Sequence, residues 1–155
     1  MDEYMPTLSE GQLLAAIDDF IRTRESRESI LERIVGILSS NLRHYTWTGI
    51  YVLEEGVLKL GPFRGEPSPH VIIQVGQGIC GAAVQEKKAV IVPDVNADPR
   101  YLACSLSTKS EIVVPIFKDN VVVAEIDVDS DQRDAFSDRD KKFLELVAAR
   151  LGKIF

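Results

Sequence analysis

The chain has 155 residues, 45% of them hydrophobic and 27% charged, with a net charge of −6. That length suits one domain with one substantial core, and its 18 scattered basic residues argue against nucleic-acid binding or an anionic membrane surface. No run approaches the ~18 apolar residues of a membrane span, and Met1-Asp2-Glu3-Tyr4 lacks the features of a signal peptide, so the cytoplasm is the expected location.

Thr7-Leu8-Ser9-Glu10 has capping-box spacing, and Leu13, Leu14, Ile17, Phe20 and Ile21 follow with helical periodicity. Ser29-Ile30-Leu31-Glu32 repeats that signal ahead of a stripe made by Ile30, Leu31, Ile34, Val35 and Leu38. After Asn41 the period becomes that of strands: Trp47 to Leu53, a turn at Glu54-Glu55-Gly56, and Val57 to Leu60. Gly61-Pro62-Phe63-Arg64-Gly65 is expected to break the chain, and Pro67 and Pro69 to keep it irregular as far as a strand over Val71 to Val75. Gly78 to about Lys87 reads as a short helix and Ala89 to Val92 as a short buried strand. Pro93 to Thr108 has no clear period and reads as a long loop with room for one helical turn; a loop of that length is commonly functional. Glu111 to Phe117 and Val121 to Val128 form a hairpin around Asp119-Asn120. Ser137-Asp138-Arg139-Asp140 then caps a helix bearing Phe143, Leu144, Leu146, Val147, Leu151 and Ile154. The fold class is α+β, a mostly antiparallel central sheet flanked by terminal helices. It forms a single domain in which the helices of residues 1–40 pack on a core spanning 47–155.

Two cysteines in such a chain do not make a disulfide scaffold. Cys80 lies in the glycine-rich turn Gly76-Gln77-Gly78-Ile79-Cys80-Gly81, and Cys104 follows the loop Asn96 to Ala103. Without nearby histidines their spacing does not match a metal site. Thiols opposite Glu111, Asp127 and Asp129 point to redox chemistry on a small molecule. Each residue also has a plainer reading. Cys80 could be core packing, Glu111 an exposed strand start, Asp127 and Asp129 solvated turn formers, Trp47 and Tyr51 ordinary core. His70 reads as surface and His44 as structural. Asp127 and Asp129 share one face of their strand by its period of two, and Glu125, on that same face, reads as a bystander.

The segments Trp47-Thr48-Gly49-Ile50-Tyr51, Gly61-Pro62-Phe63-Arg64-Gly65, Gly76 to Gly81, Ala103-Cys104, Ser110 to Pro115 and Ile126-Asp127-Val128-Asp129-Ser130 together resemble a GAF domain. Among GAF proteins the resemblance is to the free methionine-(R)-sulfoxide reductases. It implies Cys104 as the reacting cysteine, Cys80 as a second cysteine, and Trp47, Tyr51, Glu111, Asp127 and Asp129 as substrate-binding residues. Most members carry a third cysteine before the glycine-rich turn; here Glu66 to Ile72 has none, and His70 lies close to the vacant place.

Sulfoxide reduction needs a thiolate nucleophile and an acid for the departing oxygen. A carboxyl group crowded by others can stay protonated and serve as that acid, while an ionised one holds the ammonium of a free amino acid. Glu111 is the leading candidate acid and Asp127 and Asp129 the binders, with roles that can exchange. Trp47 and Tyr51 would wall the pocket against the methyl thioether, and backbone N–H groups at Gly78 to Gly81 could receive the substrate carboxylate. The expected activity is thiol-dependent reduction of free L-methionine-(R)-sulfoxide through a sulfenic acid and a disulfide between Cys104 and Cys80. It would use no cofactor or metal beyond an external reductant such as thioredoxin, and a homodimer is possible. The alternative is a non-catalytic GAF sensor of small molecules or a dimerisation module.

Overall fold

Among the described residues six strands form one antiparallel sheet: β1 (Trp47–Glu54), β2 (Val57–Arg64), β3 (Ile72–Gln74), β4 (Val90–Val92), β5 (Ser110–Lys118) and β6 (Val121–Ser130), in the order β3-β2-β1-β6-β5-β4. The computed structural model describes residues 7–102 and 106–155. It adds four α-helices, α1 (Glu10–Arg22), α2 (Arg27–Asn41), α3 (Gly78–Glu86) and α4 (Asp138–Leu151). Alternation along the strands gives each sheet face its own core. On one face Ile50, Ile112, Val114, Ile126 and Val128 meet the apolar stripes of α1, α2 and α4. On the other, Tyr51, Val113 and Val122 meet Ile79, Cys80, Ala83 and Val84 of α3. The α+β class and the flanking terminal helices match the sequence expectation. No helix among the described residues is long and apolar enough to cross a membrane.

The hairpin turns where expected, with Asp119 and Asn120 both left-handed at φ 51° and 64°, as a two-residue hairpin loop requires. The single helical turn expected in the long loop is a 3-10 turn at Val95–Ala97, capped by Asp94, whose Oδ1 accepts from the Asn96 N–H at 3.1 Å.

Three boundaries differ from the expectation. The first capping box is Ser9 with Gln12, not Thr7 with Glu10: Ser9 Oγ accepts from Gln12 N–H and Gln12 Oε1 from Ser9 N–H. The second helix starts at a Ser26 cap rather than at Ser29, because Arg27 and Glu28 extend it and Glu28 suits the positive end of the helix dipole. Gly61-Pro62-Phe63-Arg64 does not break the chain, and β2 runs on through it. The register of β2 on β1 shifts between Gly49 and Tyr51, leaving Gly61 and Pro62 in a bulge, while β3 pairs only with Val57 to Lys59. Proline is tolerated there because no ladder bond needs its missing N–H.

Candidate active site

The site is built on the sheet face opposite the terminal helices. Trp47 pairs with Asp129, Gly49 with Asp127 and Tyr51 with Glu125 across β1 and β6. Across β5 and β6, Glu111 pairs with Asp129 and Val113 with Asp127. Period-two alternation therefore sets Trp47, Tyr51, Glu111, Asp127 and Asp129 on one face, together with Glu125. α3 lies over them and lowers Cys80 into the group. The Cys80 sulfur and carboxyl oxygens of Glu111 and Asp127 all lie within 4.8 Å of one another.

None of these carboxyl groups is a surface group. Glu111 is 4% exposed, Asp127 and Asp129 1%, and Glu125 fully buried, which excludes both the exposed strand start and the solvated turn. Burial drives the Asp129 carboxyl well above the usual carboxylate range, with Asp127 raising it further and Glu111 easing it down. Burial also raises Asp127, which Glu111 and Cys80 partly offset. Burial first, then the charge of Asp127, pushes Glu125 well up. The Cys80 thiol is raised by burial and then by the charges of Asp127, Glu125 and Glu111. Charged forms are penalised here because little solvent reaches them and like charges crowd together. Glu125, Asp127 and Asp129 thus hold their protons more tightly than free carboxyl groups do, and the Cys80 thiol is harder to ionise than a free one. Its sulfur and the Glu111 and Asp127 oxygens have a spacing that could hold a metal ion.

Trp47 and Tyr51 wall the group, their ring centroids 6.4 Å apart. Trp47 stacks on Phe63 at 5.7 Å and donates from Nε1 to the Glu66 carbonyl at 2.9 Å. The Tyr51 hydroxyl donates to the His70 carbonyl at 2.7 Å. Both aromatics therefore pin the Pro-rich connection between β2 and β3, and His70, which reads as surface in the sequence, is half-buried there. Trp47 fits because Gly49 has no side chain: a Cβ there would lie 2.4 Å from the indole Cη2.

The glycine-rich turn lets α3 begin above the carboxyl groups. Gly78 takes φ 65°, and the Leu102 side chain packs where its Cβ would stand, 2.9 Å away. Ile73, Gly78, Ile79, Cys80, Leu102, Glu111 and Asp127 enclose a cavity of only about 10 Å³, room for roughly one water. A much larger cavity, about 700 Å³, lies elsewhere, between α4, Lys87-Lys88 and the end of β5. It contains no thiol, so volume alone does not mark the chemistry. Cys104 lies outside the described residues. His44 is structural, its Nε2 2.8 Å from Asp140 Oδ1 at the start of α4. The sequence reading treats Glu125 as a bystander, although its place two residues before Asp127 was the available signal.

Residues 26–155 match the GAF domain family. A free methionine-R-sulfoxide reductase of Escherichia coli is 34% identical over 92% of this chain and 81% of its own length.

The chain belongs to the GAF domain family, among the free methionine-R-sulfoxide reductases.

The Saccharomyces cerevisiae free methionine-R-sulfoxide reductase is 45% identical over 69% of this chain and 61% of its own length. The structure of the Neisseria meningitidis free methionine-R-sulfoxide reductase in complex with its substrate superposes with a TM-score of 0.91 at 29% identity, covering 100% of this chain and 96% of that one. The family resemblance drawn from the motifs is thereby established.

Proposed function

We propose that this chain reduces free L-methionine-(R)-sulfoxide to methionine at the carboxyl-lined face beneath α3. The observation that carries the reading is the buried set of Glu111, Asp127 and Asp129 around the Cys80 thiol, walled by Trp47 and Tyr51. A buried acidic floor is costly without a cation to meet it, and the ammonium of a free amino acid supplies one. The aromatic wall suits the methyl thioether end.

In the first step the Cys104 sulfur attacks the sulfoxide sulfur. The oxygen transfers to Cys104 as a sulfenic acid and methionine departs. Glu111 donates the proton to that oxygen; its contacts with both Asp127 and Asp129 support the role, because a proton held on either aspartate can pass to it. Asp127 and Asp129 hold the ammonium. Cys80 then attacks the sulfenic acid sulfur, a disulfide forms and water leaves. A dithiol donor such as thioredoxin takes the disulfide electrons and restores both thiols. The protein works in the cytoplasm without an organic cofactor or metal, and it could do so as a homodimer.

Methionine release from each sulfoxide epimer, with and without a dithiol donor, tests the assignment. The R epimer of the free amino acid should turn over and the peptide-bound form should not. Cys104→Ser should abolish turnover, whereas Cys80→Ser should retain the first turnover and lose recycling. Full activity in Cys104→Ser would sink the assignment.

A further inference from the structure

We propose that Glu125 is an additional working residue of this site, the group that takes the proton from the Cys80 thiol when that sulfur acts as a nucleophile. The inference rests on the reading of Cys80 as a reacting thiol.

Glu125 has no exposed surface. It stands in the middle of β6, between Tyr51 of β1 and Pro115 of β5, two residues from Asp127 on the same face. Neither of its carboxyl oxygens completes a regular hydrogen bond among the described residues. The carboxyl group nonetheless lies close enough to the Cys80 thiol for each to influence the other's protonation. A buried carboxyl group without regular partners costs stability, and an apolar side chain would fill the same place at no such cost. The groups that face it fit a proton-transfer role. α3 brings the Cys80 thiol, β6 brings Asp127, β1 brings Tyr51 with its hydroxyl donating to His70, and β5 brings Pro115, which does not titrate. Glu111 of β5 and Asp127 also face the thiol, but they contact each other, whereas both Glu125 oxygens are without a regular partner and remain able to accept its proton.

The step balances as follows. The Cys80 S–H bond breaks and its proton passes to a Glu125 carboxylate oxygen. The sulfur pair forms a bond to a sulfur of the reacting partner, and that partner's leaving group departs with the electron pair of the broken bond. Glu125 then returns the proton to the leaving group. A thiol held this far from ionisation needs a base at hand to react near neutrality.

Cys104→Ser protein, in which Cys80 is the remaining thiol, allows the step to be followed without sulfoxide turnover by its reaction with dithiodipyridine, read as released thiopyridone. The rate should rise with pH in two stages, the lower following Glu125 and the upper the thiol itself. Glu125→Gln should lose the lower stage, with the neutral-pH rate falling by about 10²-fold, and Glu125→Asp should keep it at a displaced pH. Glu125→Val, which removes the polar group altogether, should behave like the Gln variant and serves if that variant misfolds. A two-stage profile that persists in the Gln or Val protein overturns the proposal. Because no sulfoxide is present, that result is independent of whether the chain is a sulfoxide reductase.

Discussion

Trp47 owes its position to what surrounds it. The indole is stacked on Phe63, held by Glu66 and laid across Gly49, whose missing Cβ would fall 2.4 Å and 2.7 Å from two ring carbons. A ring with contacts on both sides and an anchored N–H has little freedom to yield. Gly49→Ala should therefore displace Trp47, cost about 1–3 kcal/mol of stability, and raise KM for the sulfoxide more than it lowers kcat. Urea unfolding with steady-state kinetics would check this, and an alanine variant with unchanged stability and KM would rule out the packing account. Trp47 and Tyr51 were recognisable in the sequence as a same-face pair. Nothing in the sequence indicated that they tether the Glu66 and His70 carbonyls, because those contacts join segments 19 residues apart.

Local chemistry sets most of the elements. The β5–β6 turn is the clearest case, since Asp119 and Asn120 are both held in the left-handed region. Glycine accepts that conformation without steric cost, so Asn120→Gly should leave the hairpin intact and raise the unfolding midpoint slightly. Asn120→Val should lower stability by about 1–2 kcal/mol. Thermal unfolding of the two variants distinguishes them, and a valine variant as stable as the parent would contradict the turn geometry. The misplaced elements share one cause. Thr7 and Ser29 carry suitable side chains, but the true caps lie at Ser9 and Ser26 because neighbouring helix formers decide where the first turn closes. Pro62 lies within a strand because its partners leave a bulge beside it, and pairing of that kind is decided by the neighbouring strands.

Taken whole, the molecule stores protons in its floor. Glu125, Asp127 and Asp129 all bind protons more tightly folded than unfolded, from ordinary values of 4.5 for Glu and 3.8 for Asp. Above those values the unfolded chain has released protons that the folded chain still holds, so stability falls as pH rises toward the raised folded values. The ligand-free protein should accordingly show a higher urea midpoint at about pH 5.5 than at about pH 8, with the difference reduced in Asp129→Asn. A midpoint that is flat or rises over that interval would contradict the raised carboxyl groups. Free methionine, through its ammonium, should recover part of the lost stability at the higher pH by binding the folded state alone.

Periodicity and turn residues were enough to specify an α+β fold and to pair Trp47 with Tyr51 and Asp127 with Asp129 on shared strand faces, because alternation along a strand is a local property. The GAF family and the joining of those pairs with Glu111 came from the resemblance carried by the short motifs. The sequence could not decide which carboxyl groups lose their water. That depends on α3 closing over β5 and β6, and on Leu102 packing against Gly78, contacts made between distant segments. For the same reason Glu125 reads as a bystander in the sequence and becomes a buried neighbour of Cys80 only in the folded chain. Its burial comes from the helix and strands packed around it, and its own sequence neighbours carry no record of that.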